Sequence, residues 1–384
     1  MTRFPFPHDR RLAHCYYPQL ASAADAQRAF QNWRQEIVTS DGARGFVRTR
    51  RPDTPDGTAN STVSEGIAYG MVIAVMFGDQ ALFDGFWGYA RCFLNANGLM
   101  NWYIAPDGSK ALGVGGASDA EEDMAWALVQ ADRQWGGSGA FSESYLSMAK
   151  RLIDAIYETE VDHGQFQPEW ADMFLPGDDW RGRNVFNPSY FAPNQYRLFG
   201  EVTGNVAGWQ RVIDKGYVVL NRSLNAQSGN LDNGLVPAWC DDQGVPVEAF
   251  PGAMKNYQYD SARTPFRIAQ DWAYHQEPRA RAYLQKVSKF FASVGAEQIV
   301  DGYALDGTPA PDPKSPPGNP GSAVFVGCAA AGAMFDPSFA SFVDAAYARV
   351  RTGELLTRSR YYNHCWTVLS TLMLSGNLIE LPAR

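Results

Sequence analysis

Apolar residues recur at i, i+3 and i+4 from one end of the 384-residue chain to the other, a period that belongs to helices. Segments near 22–38, 65–78, 81–95, 119–135, 142–158, 189–203, 206–225, 264–275, 278–294, 322–334, 337–351 and 362–375 carry it. Short connections alternate with long ones rich in Gly, Pro, Asn and Trp, such as "VRTRRPDTPDGTANSTVS", "NWYIAPDGSKALGVGGAS" and "LDGTPAPDPKSPPGNPGS". Helical pairs joined this way predict an all-α toroid: about twelve helices that fit two concentric rings of six. The period supplies the helix count and leaves closure of the ring open. Loops this long in a compact domain carry function more often than not, so the chemistry is expected at the rim that bears them. No low-complexity linker divides residues 1–384, which read as a single domain.

Charge and composition narrow the class. The net charge is −8 and no basic run is present, which argues against nucleic acid and against an anionic membrane surface as partners. No apolar run approaches the roughly 18 residues needed to span a bilayer. The opening "MTRFPFPHDRR" lacks the apolar stretch of a signal peptide, so such a leader is expected to be absent or removed. Cys15, Cys92, Cys240, Cys328 and Cys365 have no C-x-x-C spacing and are expected to be free, buried thiols. The five histidines form no metal-binding pattern and none is assigned a catalytic role. Aromatic residues are abundant, with 11 Trp, 18 Tyr and 22 Phe, which suits a cleft that stacks on sugar rings as well as it suits a core.

Three acids stand at three helix starts. In "ANSTVSEGIAYGM", Ser64 is a candidate N-cap and Glu65 the first helical residue. In "GGASDAEEDMAWAL", Ser118 is the candidate cap, Asp119 follows, and Glu121 has capping-box spacing. In "NYQYDSARTPFRIAQDW", Thr264 is the candidate cap, Pro265 suits the first turn, and Asp260 lies in the loop before it. Acids are common at helix starts because the macrodipole is positive there. Here, however, each follows a long polar loop, and "GIAYGMVIAVMF" after Glu65 is a buried helix. A carboxyl at the rim of such a helix must find a partner or take up a proton. Two carboxyls facing across a cleft, one protonated and one ionised, are what glycoside hydrolysis requires. A helix N-terminus lowers a carboxyl pKa, so a general acid at Glu65 needs burial or a like-charged neighbour such as Asp119 to raise it.

Taken together, the motifs resemble glycoside hydrolase family 8. "SEGIAYGM" is similar to the segment that carries the family's general acid. "ASDAEEDMAWALVQADRQW" resembles its signature, with Asp119 in the first acidic place, Trp135 at the close, and Glu121 where Asp is usual. "FNPSYFAPNQYRLF", "YDSARTPFRIA" and "YYNHCWTVLSTLMLSGN" follow in family order, so the likeness runs from about residue 60 to 377. The resemblance implies an (α/α)6 barrel that hydrolyses β-1,4-linked glycans with inversion and needs no cofactor or metal. Carried over residue by residue, Glu65 is the proton donor and Asp260 the base that activates water. Asp119 is the acid that holds the sugar beside the scissile bond, and Arg263 orients the base. Tyr259 and Tyr190 match positions near the central subsites, and Trp102 resembles a sugar-stacking tryptophan.

A β-1,4-glucan polysaccharide or oligosaccharide is the expected substrate, with xylan as runner-up and chitosan after it. A polymeric substrate implies a secreted or periplasmic enzyme, and a monomer is expected. A non-catalytic glycan-binding toroid and a lyase are the readings from other classes. For the remaining acids, Glu121 is expected to cap its helix, Glu122 to be exposed, and Asp123 to be a partner behind Asp119. Asp260, Arg263, Arg267 and Asp271 are spaced by 3, 4 and 4 residues, so a surface ion-pair ladder is one of the readings open for Arg267 and Asp271 if the helix extends back to Asp260. A calcium loop built from Asp119, Glu121, Glu122 and Asp123 lacks the spaced oxygens and glycine that calcium requires.

Overall fold

A computed structural model describes residues 2–52, 57–310, 321–357 and 360–383. Twelve α-helices run through them: α1 (Ala23–Ile37), α2 (Ser64–Phe77), α3 (Gln80–Arg91), α4 (Ser118–Gln134), α5 (Tyr145–Glu160), α6 (Pro193–Thr203), α7 (Val206–Arg222), α8 (Thr264–His275), α9 (Pro278–Val294), α10 (Ala323–Ala333), α11 (Ala340–Thr352) and α12 (Arg360–Leu374). The even-numbered helices form a closed ring, α2 on α4, α4 on α6, α6 on α8, α8 on α10, α10 on α12 and α12 back on α2. Each odd-numbered helix packs outside it, α3 on α2, α5 on α4, α7 on α6, α9 on α8, α11 on α10 and α1 on α12. This is an (α/α)6 barrel.

The two rings differ in sequence for a physical reason. An inner helix is covered on all sides, so α10 ("AVFVGCAAAGA") is buried along its whole length and α2 nearly so. An outer helix keeps one wet face, and α7 buries Trp209, Val212, Ile213, Gly216, Tyr217 and Leu220 at helical spacing. Small residues let the layers approach. At Gly70 of α2, an added Cβ would stand 2.7 Å from the Phe86 ring of α3.

Short turns lead from α2, α6 and α8 to the outer helix that follows, as at Gly204–Asn205 between α6 and α7. Long loops lead into α2, α4, α6, α8 and α10 and so gather at the rim where those helices begin. Five short strands stiffen these loops, a feature absent from the all-helical expectation because two or three residues show no alternating period. β1 (Val38–Thr39) pairs with β2 (Arg48–Thr49), and β3 (Thr62–Val63), β4 (Tyr103–Ile104) and β5 (Ala111–Gly113) form an antiparallel sheet in that order. The second sheet brings Trp102 beside the start of α2, where the Ser64 N–H donates to the Trp102 carbonyl at 2.9 Å.

The helix caps differ from expectation. Ser64 and Ser118 are the first residues of their helices, behind Val63 and Ala117, and neither side chain caps. The Ser118 hydroxyl instead donates to the Leu175 carbonyl at 2.6 Å. Thr264 does not cap either, because a 3-10 turn, Ser261–Arg263, runs straight into α8. The five cysteines are free, three of them buried and Cys15 and Cys92 half-buried.

Arg267 and Asp271 are buried and do not form a surface ladder. The Asp271 carboxylate accepts from Arg197 Nε at 2.8 Å and from the Tyr217 hydroxyl at 2.6 Å, tying α8 to α6 and α7. Arg197 also keeps Glu277 at 2.8 Å, so Asp271→Ala is expected to cost about 1–3 kcal/mol of unfolding free energy, mainly by leaving the buried Tyr217 hydroxyl without its acceptor. Chemical denaturation checks it, and a loss of under about 1 kcal/mol, as at an exposed pair, would contradict this placement.

Candidate active site

Arg263 ends the 3-10 turn before α8 and points into the rim, where its side chain is almost completely buried. Its Nη1 donates to Glu65 Oε2 at 2.8 Å, to Asp119 Oδ2 at 2.5 Å and to the Tyr69 hydroxyl at 3.2 Å. Its Nη2 donates to Asp260 Oδ1 at 3.0 Å and to Ser189 Oγ at 2.9 Å. One guanidinium thus joins the starts of α2, α4 and α8 and the turn before α6. Because Glu65 and Asp260 use different terminal nitrogens of that planar group, their nearest oxygens are at most about 8 Å apart.

The three carboxyls differ in exposure. Asp119 is 1% exposed and forms the floor, whereas Glu65 at 26% and Asp260 at 31% face the cleft. Burial pushes the Glu65 carboxyl up from its usual range and Asp260 adds to this, while Arg263 opposes both. Burial likewise pushes Asp119 up, to about 7, against Arg263 and with help from Glu65. The tension between helix dipole and general acid is resolved by desolvation. Tyr69 and Arg263 both donate to Oε2 of Glu65, at 3.3 and 2.8 Å, which leaves Oε1 for a proton and a ligand. Asp260 accepts on both oxygens, from Arg263 on Oδ1 and from Gln258 Nε2 on Oδ2 at 2.9 Å.

Of the expected aromatic positions, Tyr190 lies against the central arginine. The Arg263 guanidinium lies 5.3 Å over the Tyr190 ring. Trp102 is 42% exposed and stacks on Tyr103 with centroids 5.1 Å apart. Tyr259 is next to Asp260 in sequence, but its hydroxyl turns away and donates to Asp301 Oδ2 at 2.8 Å. Tyr69, Ser189 and Gln258 were not singled out in the sequence. Only Tyr69 left a signal there, one helical turn after Glu65 on the same face.

Residues 4–373 match the glycosyl hydrolases family 8. The chain belongs to this family. It is 36% identical to Endoglucanase 2 of Ruminiclostridium josui over 96% of this chain and 72% of that protein. It is 37% identical to Endoglucanase A of Acetivibrio thermocellus over 91% of this chain and 68% of that protein. Its structure superposes on the apo structure of a beta-1,3-1,4-glucanase from Paenibacillus sp. X4 with a TM-score of 0.85, at 25% identity, covering 98% of this chain and 99% of the other.

In this family 8 chain the acidic run on α4 splits into separate contacts. Asp123 is held by both terminal nitrogens of Arg267, at 2.5 and 2.8 Å, and by Gln195 Nε2 at 2.6 Å. Glu121 accepts the backbone N–H of Ala117 at 3.1 Å and of Met100 at 3.0 Å, so it caps as expected. Glu122 is fully buried, not exposed, and accepts from the Tyr196 hydroxyl. Asp178 of "LPGDDW" accepts from Asn95, Asn97 and the Gly116 N–H, a structural role. The four acids of α4 point to four different partners, which is no calcium cage. Among the described residues, no three His, Cys, Asp or Glu side chains are grouped to hold a metal ion.

Behind them lies Glu160, the last residue of α5, fully buried, with neither carboxyl oxygen hydrogen-bonded among the described residues. Burial first, then the charges of Glu121, Asp178 and Glu122, raise its pKa well above normal. The folded protein therefore holds a proton that the unfolded chain loses above about pH 4.3. That contribution is complete at low pH and is lost as pH rises towards the folded pKa. Glu160→Gln is expected to flatten the fall in Tm as the pH rises above about 4.3. Equal falls in parent and variant would show that Glu160 does not carry it.

Proposed function

We propose that this enzyme is an inverting, endo-acting β-1,4-glucanase with Glu65 as general acid and Asp260 as general base. The observation that carries the reading is the single buried arginine shared by Glu65, Asp119 and Asp260 at the rim of a family 8 barrel. In this scheme, Glu65 gives the proton on Oε1 to the leaving glycosidic oxygen. Asp260, its two oxygens aimed by Arg263 and Gln258, takes a proton from a water that attacks the anomeric carbon from the opposite face. Asp119 binds the sugar next to the scissile bond, and its charge couples to that of Glu65. Trp102 and Tyr190 supply stacking surface on either side, and Tyr259 shapes the wall beside Asp260.

Glucan is favoured as substrate because the relatives at 36–37% identity are named endoglucanases. We read residues 1–384 as one catalytic domain acting as a monomer. A polymeric substrate makes a secreted or periplasmic location the natural one. Among the described residues, no helix is long and apolar enough to cross a membrane.

Glu65→Gln and Asp260→Asn should each lower kcat on soluble β-glucan by about 10²–10⁴-fold with the fold intact. Because Glu65 must be protonated to act and its pKa is raised, activity of the parent should persist above the pH at which an ordinary carboxyl has ionised, then fall. Hydrolysis at near-parent rate in either variant would remove the assignment. Comparison of kcat/KM on glucan, xylan and chitosan decides the substrate, and faster turnover of xylan would move the reading to a xylanase. An ultraviolet-absorbing unsaturated product would mark a lyase instead.

A further inference from the structure

Another buried guanidinium lies among the rim loops. Arg48 of β2 is buried, and none of its hydrogen-bond acceptors is a carboxylate. Its Nε donates to the Asp41 carbonyl and its Nη2 to the Pro106 carbonyl, both at 2.6 Å. Its Nη1 donates to the Asn60 carbonyl at 2.8 Å and to Thr62 Oγ1 at 2.9 Å. A cation taken out of water without an ion-pair partner is costly, so its rigid fork of donors must be needed to hold something. Here the fork joins three loops: the β1–β2 connection, the residues that lead into α2, and the β4–β5 turn. The first and third already hold each other. Arg44 Nε donates to the Gly108 carbonyl at 2.7 Å, and an added Cβ at Gly108 would stand 2.0 Å from the Gly42 carbonyl oxygen. What Arg48 adds is a grip on Asn60 and Thr62.

That grip lies just upstream of the general acid. Thr62 and Val63 are β3, and Glu65 follows two residues later. Helix α2 has no side-chain cap, so nothing at its own first turn fixes where it starts. The start is set by β3, and a strand of two residues is too short to hold itself. The Thr62 hydroxyl is tied twice, accepting from Arg48 Nη1 and donating to the Thr49 carbonyl at 2.7 Å. Gly66, directly after Glu65, packs on the same Thr49, whose Oγ1 would be 2.4 Å from an added Cβ. Asp260 comes from the turn before α8 and takes its hydrogen bonds from Arg263 and Gln258. The acid side of the site can therefore be disturbed apart from the base side.

We propose that Arg48 is a positioning residue for the general acid: it anchors β3 and so sets the place of Glu65 against the leaving glycosidic oxygen. The proposal rests on the reading of Glu65 as the acid. It predicts a defect in proton donation alone. A sugar alkoxide leaves only when it is protonated, whereas 2,4-dinitrophenolate leaves without a proton, so only the first substrate needs a well-placed acid.

The test compares Arg48→Met, Thr62→Val, Arg44→Met and Glu65→Gln with the parent on soluble β-glucan and on a 2,4-dinitrophenyl β-cellotrioside. For Arg48→Met the expected result is a loss of about ten- to hundredfold in kcat on glucan, as a displacement near 1 Å can cause, with KM little changed. The dinitrophenyl glycoside should be cleaved at near-parent rate. Glu65→Gln should show the same split, and Arg44→Met should lose neither activity. Equal losses on the two substrates, no loss on glucan, or the same split in Arg44→Met would overturn the proposal and leave Arg48 as a loop anchor. If Arg48→Met does not fold, Thr62→Val decides by the same criteria, because it keeps the side-chain shape and removes only the tie. If Glu65→Gln shows no split, the reading of Glu65 as the acid fails and this proposal falls with it. A split in Glu65→Gln without one in the deciding variant ends only the role of Arg48.

Discussion

The site depends on one buried guanidinium. Arg263 faces three carboxyls, and a single positive charge cannot balance three negative ones in a dry pocket. Some of that acidity must be carried as bound protons, which is the direction in which both Glu65 and Asp119 are displaced. The arrangement keeps a carboxyl protonated at a pH where an isolated one would be ionised. Asp260 touches a different nitrogen and has its own second donor in Gln258. The inner helices must begin at the same rim for this to occur, because Arg263 reaches the starts of α2, α4 and α8 at once.

A parallel layer lies one helical turn deeper. Arg267 follows Arg263 by four residues on α8, and Asp123 follows Asp119 by four on α4, so the two arginine–aspartate pairs stack along the barrel axis. Deeper still on α8, Asp271 is clamped by Arg197 and Tyr217. These buried pairs fix the register of α8 against α4, α6 and α7. A shift of α8 by one residue would separate all of them, and Arg263 would leave the carboxyls it organises.

Much of this was legible in the sequence. The 3.6-residue period gave each helix to within a few residues, and the segments holding Glu65, Asp119, Asp260 and Arg263 do converge. The ring itself required contacts between helices far apart in the chain. Glu122 was misread as exposed, and Arg267 and Asp271 stayed undecided between surface and interior, because charged residues at helical spacing look the same on a wet face as in a barrel lined by inner helices. What separates the two cases is whether opposite charges on other helices meet them, and spacing along one helix is silent on that. Ser64, Ser118 and Thr264 were misplaced by one position because extended strand or a 3-10 turn enters the helix directly. The loops that bring Ser189 to Arg263 and Gln258 to Asp260 have no period at all.

The account makes Glu65 and Asp260 an acid and a base on opposite faces of one sugar, with a water between Asp260 and the anomeric carbon. That arrangement reverses the configuration at the reacting carbon, and the product's anomeric proton reports it before mutarotation. The most direct measurement is proton NMR of the first seconds of β-1,4-glucan hydrolysis. The account predicts the α-anomer first, with the β-anomer growing in later. A first-formed β-anomer would require two displacements at that carbon and would contradict the assignment of Asp260 as the base.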